Sequence, residues 1–196
     1  MKTVLAALFA AILPSMLLAQ AASPRPARPA APQQPEPPMS RTPGAGPVVV
    51  VETVKGTFEF ETYPGEAPKT VEHVLALVKR NFYNGLRVHR VEPGFVIQLG
   101  DPNTRDFTKR NIWGTSGSGT PVGVAELSRK RLHVRGAVAM AHSGNPARAD
   151  AQFYVTLNPV PRLNGKYVVF GRIISGMDVT TQLRVGDVIK KAYVKP

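Results

Sequence analysis

Residues Tyr83–Asp101 read YNGLRVHRVEPGFVIQLGD. Arg90 stands there on a strand-like run whose alternate positions are apolar, and Glu92-Pro93-Gly94 turns the chain into a second run carrying Phe95, Ile97 and Gln98. One fixed cation beside apolar side chains, with no nucleophile nearby, suits a reaction that makes and breaks no covalent bond.

Strand-like runs recur on both sides of this stretch. Val48–Val54 and Thr57–Thr62 are β-rich and meet at Lys55-Gly56, which predicts a hairpin. Further runs are Leu86–Val91, Phe95–Leu99, Gly136–Ala141, Gln152–Leu157, Tyr167–Ile174 and Asp187–Val194. Two helices interrupt them. Pro68 suits a first helical turn, and Val71, Val74, Leu75 and Val78 repeat at helical spacing, so a helix is expected from Pro68 to about Asn81, with Gly85 closing the exit. A shorter helix fits Met177–Leu183. Gly100–Leu132 has little period and reads as a long loop, within which Trp113 either caps the sheet or contacts a ligand. Many short strands with few helices predict a mostly β fold, a closed antiparallel barrel or a sandwich.

The first 47 residues are of another kind. Residues 1–21 have the layout of a secretory signal peptide: Lys2, an apolar Val4–Leu18 interrupted by Pro14, and a Leu18-Ala19-Gln20-Ala21 exit, so cleavage is expected after Ala21. The apolar run is short for a membrane span, and without cysteine there is no lipoprotein anchor. No stable span is expected after cleavage. In a Gram-negative host the destination would be the periplasm. Residues 22–47 hold nine prolines and five alanines in 26 positions, a composition that predicts an extended, mobile linker. The folded domain is expected at 48–196.

Composition removes several chemistries. The chain of 196 residues has no cysteine, so disulfides, thiolate catalysis and cysteine metal sites are excluded. Its histidines, His73, His89, His133 and His142, lack the spacing of a helical zinc pair, and no metal is expected. There is no Gly-x-Ser-x-Gly elbow, His-Glu-x-x-His helix or Walker loop. Net charge is +12 overall and +9 within 48–196, where 21 basic residues face 12 acidic ones. The basic clusters, such as Arg129-Lys130-Arg131, are short and lack interleaved aromatics, so the charge reads as a solvated surface and no specific nucleic acid is expected.

Four blocks, in order, resemble the cyclophilin family. Phe82–Asp101 is similar to F-Y-N-G-x-x-x-H-R-V-x-P-G-F-x-I-Q-x-G-D, and Gly136–Ala141 to the family's second block. Ala151–Thr156 is similar to S-Q-F-F-I-T, and Leu163–Gly171 to L-D-G-x-x-V-V-F-G. The resemblance implies a closed eight-stranded antiparallel β-barrel capped by two α-helices. It implies peptidyl-prolyl cis-trans isomerase activity without a cofactor, acting on proline-containing unfolded or flexible polypeptides; nothing in such a fold demands a dimer, and a monomer is expected.

It also assigns residues. Arg90 matches the catalytic arginine, and Gln98 the glutamine that holds it. Phe95, Val96, Met140, Phe153 and Leu163 match apolar positions around the proline pocket, and Tyr154 takes a pocket position usually held by phenylalanine. Gln152 matches a second polar contact, Ala141 and His142 match an Ala-Asn pair lying against the substrate chain, and Tyr167 falls where histidine is common. His89 matches the histidine before the arginine. Arg162 replaces a tryptophan that contacts cyclosporin in many relatives, so weak cyclosporin binding is expected. The Gly114–Gly119 run, GTSGSG, departs from the family's tighter glycine loop.

The implied chemistry is self-consistent. Rotation about an X-Pro bond costs roughly 18–20 kcal/mol because resonance holds the amide planar. In the twisted state the prolyl nitrogen regains its lone pair, and a guanidinium aimed at it stabilises that state selectively. The alternative on the same fold is a proline-peptide binding module or chaperone without catalysis. A basic binder of nucleic acid or an anionic surface is a third reading, disfavoured by the export signal.

Overall fold

A computed structural model describes residues 41–196; the signal-peptide reading and most of the linker lie outside the described residues. Eight strands form one antiparallel sheet: β1 (Val48–Thr53), β2 (Gly56–Thr62), β3 (Arg90–Glu92), β4 (Val96–Leu99), β5 (Ala137–Met140), β6 (Phe153–Thr156), β7 (Val169–Ser175) and β8 (Ile189–Val194). Their order is β3-β4-β6-β5-β7-β2-β1-β8.

The closed barrel expected from the family resemblance is not what forms: the sheet is an open half-barrel with β3 and β8 as its edges. β3 is only three residues long, and the run before it, Leu86–His89, is not a strand. That run meets the start of β8 through a single bridge, Arg87–Val188, and a few loop hydrogen bonds such as Val88 N–H to Asp187 O at 3.0 Å. Arg87 N–H turns instead to the Thr104 hydroxyl at 2.9 Å, so no continuous ladder joins the edges.

The hairpin is as expected. β1 and β2 pair from Val48–Glu61 to Thr53–Gly56, and Gly56 takes a φ of 131°, open to glycine and strained for other residues. Helix α1 (Pro68–Lys79) buries Thr70, Val71, Val74, Leu77 and Val78 and packs against β8; α2 (Met177–Gln182) packs against β2. α1 stops two residues earlier than expected, since Asn81 enters the left-handed region at φ 59°. Residues 41–47, expected to be part of a mobile linker, are fastened to β2. Thr42 N–H donates to the fully buried Glu61 carboxylate at 2.9 Å, and Gly46 N–H to Thr62 O at 2.8 Å.

Strand alternation divides the apolar residues between two faces. The interior holds Val49, Val51, Phe58, Phe60, Ile97, Leu99, Val138, Met140, Phe153, Val155 and Phe170 with the buried face of α1. The rings of Phe60, Phe153 and Phe170 meet there tilted or edge to face, at centroid distances of 5.8–6.1 Å. The opposite face carries a smaller cluster, Tyr63, Val96, Ala137, Ala139, Tyr154 and Val169, against which Phe95, Ala141, Leu163 and Tyr167 pack. That outer cluster is the floor on which the site is built.

Candidate active site

β3, β4 and β6 lie side by side, and their pairing sets the polar residues in a row: Arg90 opposite Gln98, and Gln98 opposite Tyr154. Arg90 Nη1 donates to Gln98 Oε1 at 3.4 Å, and Gln98 Nε2 donates to Gln152 Oε1 at 2.9 Å. Gln152 Nε2 in turn donates to the carbonyls of Gly114 (3.0 Å) and Ser116 (2.7 Å). Each amide accepts on one side and donates on the other, so the chain of bonds has a single direction and ends on backbone.

The loop it ends on is held from within. Asp101 is fully buried and accepts from the backbone N–H groups of Asn103 (2.7 Å), Gly114 (2.5 Å) and Ser116 (3.2 Å). Gly100 delivers Asp101 to this position. Its φ is 106°, and a side chain there would collide with the Ala151 carbonyl. Arg90 is also fixed from outside: Glu92 Oε1 lies 3.5 Å from its Nε, and its guanidinium carbon lies 5.8 Å from the Phe95 ring centroid.

These groups face a groove of about 780 Å³. Arg90, Phe95, Val96, Gln98, Ala141, His142, Gln152, Tyr154, Leu163 and Tyr167, all expected at the site, line it. Met140 and Phe153, also expected there, do not. The pleat sends both to the interior face, where they are essentially inaccessible, and Ala139, Ala141 and Tyr154 take the outward positions beside them. His89 lies behind Arg90 rather than in the groove, and burial holds its pKa below the usual imidazole value. Trp113, left open between two roles, folds back on its own loop. Its Nε1 donates to Asp106 O at 3.1 Å, and its ring lies 5.3 Å from that of Phe107.

Several contributors were not expected at the site, although the Gly114–Gly119 run stood out in the sequence as a departure from the family's glycine loop. Gly114, Thr115, Ser116 and Gly117 form one wall, and Ser143, Arg148 and Asp150 another part of the lining. They lie on loops without period. The Tyr154 hydroxyl reaches His133 Nε2 at 2.9 Å, and Asn164 Oδ1 sits 3.1 Å from His133 Nδ1. His133 is buried, which depresses its pKa, and the same burial raises that of Tyr154. A buried tyrosine needs a partner for its hydroxyl, but spacing alone does not name His133. His142 stacks on Tyr167 at 4.4 Å.

The arrangement offers a multidentate cation beside an aromatic ring. It suits stabilisation of charge during a conformational reaction. The comparisons agree. Residues 48–196 match the family model described as cyclophilin type peptidyl-prolyl cis-trans isomerase/CLD. Peptidyl-prolyl cis-trans isomerase B of Bacillus subtilis is 38% identical over 137 residues, covering 70% of this chain and 90% of its own. A relative from Brucella abortus is 38% identical over 151 residues, covering 75% and 76%. A Cryptosporidium parvum cyclophilin, crystallised in the presence of the dipeptide Ala-Pro, superimposes with a TM-score of 0.65 at 28% identity, covering 76% of this chain and 99% of that one. With the motifs in register and the fold in place, this chain belongs to the cyclophilin-type peptidyl-prolyl cis-trans isomerase family.

Proposed function

We propose that the chain speeds X-Pro rotation in exported proteins as they fold, acting as a monomer in the periplasm after loss of residues 1–21. The observation that carries the catalytic part is the bonded row Arg90–Gln98–Gln152 along one wall of the groove. The proline ring would rest on Phe95, Val96, Tyr154 and Leu163 while the flanking chain lies along Ala141 and His142. Arg90 would donate to the prolyl nitrogen as the amide twists. Gln98 would keep the guanidinium aimed, and Gln152 would fix Gln98 and hold the substrate backbone. No proton is transferred, so neither His89 nor His142 acts as acid or base.

The presence of Arg162 in place of tryptophan supports weak cyclosporin binding. The basic surface needs no nucleic-acid partner to explain it. The test is refolding of a secreted protein limited by proline isomerisation, together with N-terminal sequencing of the protein from the cell envelope. Acceleration of the slow phase and a mature terminus at Ala22 are expected. Peptide binding without acceleration would instead favour a non-catalytic binding module.

A further inference from the structure

The groove has an unbalanced charge. Its lining includes Arg90, Arg148 and one acid, Asp150. Asp150 is already engaged: Ser118 Oγ donates to Oδ1 at 2.5 Å, Gly119 N–H donates to Oδ2 at 2.9 Å, and His73 Nε2 lies 3.6 Å away. Glu92 stands 3.5 Å from Arg90 and offsets it in part.

Two guanidiniums remain. Arg162 lies at the rim with its Cζ 4.6 Å from the Phe95 centroid, on the ring that Arg90 also approaches. Arg148 lines the groove itself. Among the described residues neither has a carboxylate within ion-pair distance.

Arg162 is also held in place. It belongs to a short turn, Pro161–Leu163, closed by Leu163 N–H to Val160 O and Asn164 N–H to Pro161 O, both 3.1 Å. Asn164 Oδ1 then accepts from His133 N–H at 2.8 Å, tying the turn to the sheet. Leu163 of this turn lines the groove, so Arg162 is fixed next to the pocket, and stacking on Phe95 keeps its head there. Arg148 likewise sits in a turn, Pro146–Arg148, whose Asn145 side chain accepts from Ala147 N–H at 3.0 Å. One guanidinium held on Phe95 and a second in the lining, neither paired to a carboxylate, favour an anionic substrate and disfavour a cationic one.

We propose that Arg162, with Arg148, selects polypeptides that carry aspartate or glutamate within about two residues of the proline, an inference that rests on the isomerase reading above. It is tested by exchange NMR on matched peptides with Glu, Gln or Lys on either side of Ala-Pro, at low and high salt. The expected result is a kcat/KM for the Glu peptide about three- to fivefold above that for Lys, the range of an exposed ion pair. The preference shrinks in 1 M NaCl, where the Debye length is about 3 Å. Arg162→Glu, at an exposed site, inverts the Glu-to-Lys ratio, and Arg148→Gln lowers it. Equal turnover of all three peptides by the wild type would overturn the inference and leave the isomerase reading standing. A preference unchanged in both variants would overturn the assignment to these arginines. Turnover of none would contradict the isomerase reading and this inference with it.

Discussion

Arg90 is about half exposed, yet it is held through Gln98 and Gln152 to the carbonyls of a loop that Asp101 organises from the interior. A guanidinium free to sample many rotamers would have to lose that freedom in the transition state, whereas one already positioned does not. Gln152 is the middle of this support. Gln152→Leu keeps the volume and removes both donors and the acceptor. It is expected to lower kcat/KM on X-Pro peptides by about tenfold or more, while costing about 2–4 kcal/mol of stability for the three lost hydrogen bonds. Peptide exchange and urea unfolding on the same preparation check both. At this scale the resemblance made Arg90, Gln98 and Gln152 legible. The pairing of Tyr154 with His133 was not, because it joins residues 21 positions apart through folded geometry alone.

A strand of four residues sends its side chains to opposite faces, and this is where two expected pocket residues moved. In β5 (Ala137–Met140), the outer face receives Ala137 and Ala139 and the interior receives Val138 and Met140. β6 divides likewise between Tyr154 outside and Phe153 and Val155 inside. The period of two was visible in the sequence, but a motif match ignores it and takes neighbours together. Met140→Ala is therefore a stability variant, expected to cost about 2–5 kcal/mol by leaving a cavity. KM for peptides should barely change, as a denaturation curve and saturation kinetics would show.

Helix α1 supplies a second case. Its N-terminus at Ala67 has no side-chain cap of its own. Glu126, from the long loop, accepts from Lys69 N–H (2.9 Å), Thr70 N–H (2.8 Å) and the Thr70 hydroxyl (2.8 Å). The loop that looked featureless in sequence thus closes the helix from 56 residues away. Glu126→Ala is expected to destabilise the domain by about 1 kcal/mol, the usual worth of a cap, read as a lower urea midpoint with an unchanged slope.

Residues 48–196 form a half-barrel whose interior is packed with aromatic and aliphatic side chains and whose outer face bears the groove. The number of strands, their antiparallel sense and both helices followed from pattern and resemblance. Closure did not, since whether two edges pair depends on a three-residue strand and a diverted backbone bond at Arg87.

Two histidines, His133 buried and His89 partly buried, tie the stability of the described domain to pH. Burial holds the pKa of His89 and of His133 below the ordinary value of about 6.5. Between that value and the lower folded values the unfolded chain binds more protons, so stability falls as pH drops below about 6.5 and levels off once the folded histidines also protonate. Unfolding midpoints at pH 7.5 and 5.5 should show the loss, and His133→Gln should reduce it.

The role given to Arg90 meets its most direct test in exchange NMR of a short Ala-Pro peptide with the wild type and with Arg90→Ala, both shown to be folded. Rapid cis–trans exchange with the wild type, reduced about 10²-fold or more in the variant as for a lost transition-state donor, is the expected result. Equal exchange by both proteins would contradict it.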